Sequence, residues 1–578
     1  MASAPYVITD RKPANSQADV KLARQIDQLW RISSLERDKQ LGENWVSDMR
    51  EYYSLGNAYS GPSVSYRPRI KLPEFQFLSM CEATDLTNDT PKVFISVNGD
   101  RDEKREKAFE AAWKLGSFGN RIFDAVFWSQ YVNPSWLQVG FDPNARAGKG
   151  MVWMRSRDPE SVFPDPHGKN DKDWSYVGWE DWYYLDEIRR MWPEKGYDVK
   201  GGEGYDDENE AVGLEGSRSG LNLDLPPGSL RFDPPEGFEN ARRGPRCRVR
   251  FLMVRDYARE VIEQIAGHQE GEAMKLVVEP IMKWKFPNGR FLVECNSVIL
   301  SDGPNFWPRL PEDEFGTFPM CGVWSMPHLE SIWGPSPVRY SRGAQDTAER
   351  AWTQLLENMI RVNNAQTFIP KDANIDIDAY GGLPAEVQVY DGDKPPTLVW
   401  PSPIPQHMTQ IPELLLQKVQ RYQGFSQQRQ GNPGAGNVST DLYDASVFQS
   451  EALTRMKARM LSETYQRITR IIFYAMVAFK TTPDQMQPKM SAKTDACIWN
   501  PIPTGAECEL SVDTTSIQAL SKNALKSLVM ALSKGGLLPT KFIFETLELP
   551  NADQLADDSQ KQLELAALAK SGIKSRPR

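Results

Sequence analysis

Hydrophobic and polar positions alternate along this chain in blocks of distinct period. From residue 15 to 58 the period is helical. Ser16 is placed to cap it, and Leu22, Ile26, Leu29 and Trp30 recur at steps of three and four. After a break near Gly42, Trp45, Met49, Tyr52 and Tyr53 continue the stripe until Gly56. Residues 60–73 are punctuated by proline and predict a loop. Helices are predicted over about 101–116 and 119–131. A period of two then takes over. Trp136–Asp142 and Met151–Ser156 alternate around a Gly-rich turn and predict a hairpin. The corner Pro159–Pro166 follows, then a strand in WSYVGWEDWYY and a short helix stopped by Pro193. Residues 195–245 are acidic, Gly-rich and poor in large apolar groups, which predicts a long surface loop. Strands return from Arg246. The turn Pro287-Asn288-Gly289 between two β-rich runs predicts a hairpin joining 274–286 to 290–300.

The second half is mostly helical. A helix over 340–365 places Ala348, Trp352, Leu355, Met359 and Val362 at steps of 4, 3, 4 and 3, a coiled-coil-like seam flanked by Arg342, Arg350, Glu357 and Arg361. A β-like stretch covers about 366–400, and a helix covers 408–423. The Gly-rich loop 424–439 carries the polar cluster Gln427, Gln428, Arg429 and Gln430, with Asn432 beside it. A helical pattern free of Gly and Pro runs over about 440–480. Three helices are predicted over 514–570, broken at Gly535-Gly536 and at Pro550, with apolar faces on Leu520, Leu525, Leu528, Val529 and Leu532 and on Leu563, Leu565 and Leu568. No repeat of fixed period is visible.

Composition narrows the function. The chain has 578 residues, which is too long for one simple core. Its longest apolar run, Ile471–Phe479, is far short of the roughly 20 residues a membrane span needs. The N-terminus lacks the charged and apolar regions of a signal peptide. The formal net charge is −9, whereas a protein that grips nucleic acid by its phosphates is expected to be basic. Cys81, Cys247, Cys295, Cys321, Cys497 and Cys508 form no CxxC pair and read as ordinary reduced residues. His167, His268, His328 and His407 are too dispersed for a metal site.

No phosphate-binding GxxxxGK[ST], dinucleotide-binding GxGxxG or GxSxG nucleophile elbow occurs. Asp165 is a candidate carboxylate ligand, but between two prolines it reads better as a turn former. Asp206, Asp207, Glu208 and Glu210 read as a solvated loop. No cofactor, metal or catalytic residue is expected.

The order of these elements resembles the tailed-bacteriophage portal, or head-to-tail connector, family. The resemblance covers about 15–570. It rests on ENWVSDMREYYSLG, on KVFIS after Pro91, on the charged helix before WLQVGFD, on SVFPDP, on the passage from FGTFPMCGVW to the helix ending AWTQLLENMI, and on ALSKGGLLPTKFIFETLELPNADQLADD. One departure is that Gln345 is followed four residues on by Glu349, where many relatives place Asn.

The resemblance implies an α+β, mainly helical ring subunit with wing, stem, clip and helical crown. The expected division is 1–245 as wing with its acidic loop, 246–335 as a β-rich clip and stem region, 336–480 as stem helix, channel loop and long wing helix, and 481–578 as crown. It also implies a homo-oligomer, usually of twelve copies, at one capsid vertex of the virion, assembled in the host cytoplasm and contacting no membrane. Expected partners are terminase, scaffold, major capsid protein, a tail adaptor and double-stranded DNA passing without sequence readout. Trp352, Leu355, Met359 and Val362 are then the candidate ring-packing residues. Gln427, Gln428, Arg429, Gln430 and Asn432 are the candidates for contact with DNA in the channel. Two alternatives stay open at this point: another phage head or tail assembly protein, and a cytoplasmic enzyme whose site is assembled from distant residues.

Overall fold

The computed structural model describes, with short gaps, residues 16–42, 70–199, 246–368, 397–425 and 452–513, together with isolated positions elsewhere. The fold of these residues is mixed α+β. Helix α1 (Gln17–Leu41) starts where the sequence predicts. The Ser16 side chain accepts from the Asp19 amide at 3.1 Å, and the Asp19 carboxylate accepts from the Ser16 amide at 3.3 Å. It ends at Gly42, whose φ of +88° suits glycine. Its buried stripe of Ala23, Ile26 and Trp30 packs on Phe163, Tyr176, Leu252 and Leu292 of a sheet. The Trp30 ring lies so close over Gly178 that an added Cβ would stand 2.2 Å away.

Helix α2 (Glu74–Thr87) has no counterpart among the predicted elements. Its buried residues are Phe75, Leu78, Ser79, Glu82, Ala83 and Leu86. Apolar and polar groups therefore share its inner face, and the sequence shows no clean stripe there. Strands β1 (Lys92–Val97) and β2 (Asp100–Arg101) follow, then α3 (Glu103–Leu115) and α4 (Phe118–Ser129) close to their expected limits.

Strands β3 (Ser135–Asp142) and β4 (Met151–Arg157) form the expected hairpin, in register from Trp136 opposite Arg157 to Asp142 opposite Met151. The corner gives β5 (Val162–Pro164), then β6 (Tyr176–Tyr184) and α5 (Leu185–Met191). Asp165 shapes the turn. Its carboxylate accepts from the amides of His167 at 3.0 Å and Ser175 at 2.9 Å. The acidic stretch from Gly201 to Gly244 lies outside the described residues.

The hairpin predicted at Asn288-Gly289 does not form between the runs on either side of it. Strand β7 (Arg246–Val254) is followed by β8 (Arg259–Glu270) and β9 (Ala273–Trp284), which pair with each other from Arg259 opposite Trp284 to Glu270 opposite Ala273. Strand β10 (Arg290–Cys295) pairs instead with β7 and with β11 (Val298–Pro304). The reason is competition for partners. The twelve-residue β8 matches β9 along its full length, and β7 offers β10 an unbroken register. The turn still reverses direction, with Gly289 at φ +86°, but it carries the chain from one sheet to another. The resulting five-stranded sheet runs β11-β10-β7-β6-β5, and β12 (Met320–Val323) joins β3 in the order β12-β3-β4. Strands from 246–335 thus share sheets with strands from before residue 195.

Helix α6 (Pro337–Asn363) matches its predicted place. Strands β13 (Gln366–Phe368) and β14 (Thr397–Val399) pair at its far end, and α7 (Gln406–Tyr422), with Pro412 inside it, returns alongside α6. Helix α8 (Ala452–Phe479) is the described part of the long predicted helix. Its apolar run is core: Ile468, Ile471, Ile472, Phe473 and Met476 are buried. Finally β15 (Cys508–Asp513) pairs antiparallel with β1 from Lys92 opposite Asp513. One large core therefore draws on residues from Trp45 to Leu510. Of the predicted C-terminal helical faces only Val529 is described, and it is buried and helical.

Candidate functional site

The two candidate residue sets meet the structure differently. Gln427, Gln428, Arg429, Gln430 and Asn432 lie outside the described residues. The structure describes the chain up to Phe425 and again from Ala452. Both edges of that loop are well defined. Helix α7 ends on Gly424 at φ +77°, where the Phe425 amide donates to Gln420 O at 2.9 Å. Phe425 then buries itself against Leu78 and Val419. Of the seam on α6, Leu355 is buried within its own chain, Trp352 and Val362 are half-buried, and Met359 is 53% exposed.

The inner side of α6 is polar, which the apolar seam did not reveal. Gln345, Glu349 and Thr353 follow at steps of four and are all buried. They hold the extended segment that leads into α2. The Ile70 amide donates to Thr353 Oγ1 at 3.4 Å, the Leu72 amide to Glu349 Oε1 at 3.2 Å, and the Phe75 amide to Gln345 Oε1 at 3.2 Å. Gln345 Nε2 returns a bond to Leu72 O at 2.6 Å. These side chains supply acceptors that a sheet partner would otherwise provide. Burial pushes the Glu349 carboxyl above its ordinary pKa, and the bond from the Leu72 amide opposes that shift. The sequence signal was the pairing of Gln345 with Glu349, the point at which the chain departs from the pattern of its look-alikes.

A second polar cluster lies deeper. Lys457 of α8 donates to Glu82 Oε2 of α2 at 2.6 Å and to Gln130 Oε1 at 3.1 Å. A third surrounds Arg467, which reaches Asp171 at 2.8 Å, Glu312 at 2.9 Å and Asp313 at 3.0 Å. Burial alone would lower the Arg467 pKa. The charge of Asp171 and the bond to Asp313 outweigh it and raise the pKa, so the guanidinium stays charged.

On the outer surface, Phe77 and Met80 of α2, Tyr340, Met359 and Ile360 of α6, and Ile411, Leu414 and Tyr422 of α7 are exposed. An open cavity of about 510 Å³ lies between β1, β15 and α8. Three of its charged groups are engaged in ion pairs. Arg101 pairs with Glu106, Arg470 pairs with Glu312, and the Tyr474 hydroxyl donates to Cys508 O. Among the described residues no group of three His, Cys, Asp or Glu could hold a metal ion. No described helix is long and apolar enough to cross a membrane.

The family model for phage P22-like portal proteins matches residues 134–566, three quarters of the chain. The chain belongs to the phage P22-like portal protein family. No curated protein matches it. The portal family is a structural one, and membership makes this protein a phage portal protein, a capsid-associated oligomer of the virion's vertex. The match begins at the residue before β3 and takes in α6, α7 and α8. The polar stripe of α6 and the end of α7 therefore lie on portal elements.

Proposed function

We propose that this portal protein forms a ring of twelve copies through which double-stranded DNA is packaged and later ejected. Terminase, scaffold, major capsid protein and tail adaptor are its docking partners, and assembly takes place in the host cytoplasm. The observation that carries this reading is the α6–α7 pair. Its inner face is held by polar contacts, while Met359, Ile360, Ile411 and Leu414 remain exposed along its outer surface. Apolar residues spaced along a helix pair are costly in water and suit a neighbour in a ring.

In this reading the stem is α6 with α7, with β13 and β14 at its far end. Residues 1–245 supply the wing, 246–335 the β-rich clip and stem region, and 481–578 the crown. The loop 424–439 projects into the channel. Its glutamine amides make short-lived bonds to phosphates, and Arg429 supplies weak attraction inside a subunit of net charge −9. Such a surface guides DNA without holding it.

The test has two parts. The purified protein should run as a particle of about 790 kDa, twelve times 65.6 kDa, with a central channel in negative stain. Arg429→Glu should leave that ring intact and shorten the DNA packaged or retained. A monomer or dimer overturns the ring, and full-length packaging by the variant overturns the channel role of the loop.

A further inference from the structure

The end of α7 and the start of α8 both rest on one helix, α2. On the α7 side, Gln420 Nε2 donates to Glu74 Oε1 of α2 at 2.9 Å, and Val419 and Phe425 pack on Leu78. On the α8 side, Lys457 stands five residues after the first described residue, Ala452, and binds Glu82 of the same α2. Glu74 and Glu82 are eight residues apart, which is about 12 Å along a helix axis and roughly 80° around it. Helix α2 is itself fixed to α6 through the bond from the Phe75 amide to Gln345.

We infer that α2 is a strut that sets the spacing between the end of α7 and the start of α8, and that Glu82, Lys457 and Gln130 form the lock that holds the first turns of α8 in register on it. The Lys457 and Glu82 side chains are only 4% and 0% exposed. A buried ion pair contributes little net stability, because desolvation offsets the attraction, and apolar residues of similar volume serve as well or better. What the pair does provide is uniqueness. The ammonium finds both a carboxylate and the amide oxygen of Gln130 at one longitudinal setting of α8. A slip of one turn would strand two buried charges. Further along α8, Thr464 donates to Gly322 O and Arg467 binds Asp171, Glu312 and Asp313, so those groups hold the far part of the helix and the Lys457 group holds its first turns. Helix α2 thus transmits its position both to the end of α7 and to the start of α8. Its outer residues Phe77 and Met80 are exposed, so a neighbouring copy packed there would bear on the same strut.

The consequence for DNA handling rests on the channel reading of the loop given above, whereas the strut itself does not. The experiment uses the full-length assembled protein. Spin labels at Tyr422→Cys and Ala452→Cys, in labelled subunits diluted among unlabelled ones, report the distance between the two helix ends by double electron–electron resonance. In the otherwise native chain the distribution should be narrow. The apolar replacement Glu82→Leu with Lys457→Met should keep assembly and thermal stability but widen the distribution by about twofold. Deuterium uptake over 426–451 should rise with it. An unchanged distribution in an assembled variant overturns the inference. Should that variant fail to fold, Gln130→Leu, which removes one of Lys457's two acceptors, is read in the same way, and again a narrow distribution overturns the strut. A widened distribution with normal packaging keeps the strut and overturns the channel role of the loop.

Discussion

Glu349 shows how a single side chain can do two opposed things. Its carboxylate accepts the Leu72 amide and so pins the segment before α2, yet burial raises its pKa above that of a free glutamate. A carboxyl whose folded pKa is raised favours folding fully below the unfolded pKa, near 4.3, and loses that contribution as pH rises through the folded pKa. Glutamine keeps an acceptor at the same place and carries no charge. Glu349→Gln should therefore match the native protein in urea unfolding at about pH 4 and exceed it at about pH 8. A variant less stable than the native protein at about pH 8 would show that the charge itself holds Leu72, and equal stability at both values would show that ionisation costs nothing. The sequence marked this position, because a Gln followed four residues on by a Glu is visible in the chain. The backbone segment that the two residues hold, some 275 positions earlier, is not.

Helix α6 separates two kinds of apolar position that the seam made look alike. Leu355 is spent inside the subunit, whereas Met359 and Ile360 face outward. Leu355→Ala should cost the subunit about 2–5 kcal/mol in chemical unfolding. Met359→Ser with Ile360→Ser should change subunit stability by less than about 0.5 kcal/mol and yet reduce the yield of assembled ring, as read by analytical ultracentrifugation. Normal assembly by the double variant would mean that this face of α6 has no neighbour. Helices α1, α3, α4 and α6 were legible because caps and apolar spacing are local signals. Helix α2 was not, because its buried face carries polar residues: Ser79, whose hydroxyl donates back to Phe75 O, and Glu82, whose partner Lys457 comes from α8. The Asn288-Gly289 turn misled for a related reason: a turn signal fixes a reversal of the chain and not the strand that will pair beyond it.

Across the whole molecule, the Arg467 cluster joins three distant stretches of chain: Asp171 after the corner, Glu312 and Asp313 before β12, and α8. Arg467→Met would leave Asp313 and Asp171 buried without their cation, and should cost about 3–5 kcal/mol of global stability. A shift in the thermal midpoint seen equally by tryptophan fluorescence and by circular dichroism would confirm that the cluster ties the core together. An unchanged midpoint would show that the carboxylates find water instead.

What the sequence determined by itself is what local chemistry determines. It set the start of α1 at Ser16 and a break near Gly42, the hairpin from 136 to 156, the turn at Asp165, the place of α6, and a core helix over Ile471–Phe479 too short to be a membrane span. The tertiary structure alone decided which strands pair beyond that hairpin. It also decided that β15 closes on β1, with the Glu507 amide donating to Asn98 across 409 residues, and that Lys457 meets Glu82. The physical reason is that ladder hydrogen bonds join backbone groups common to every residue, so the sequence does not label their partners. A buried polar side chain likewise becomes readable only once the fold has brought its counterpart within about 3 Å.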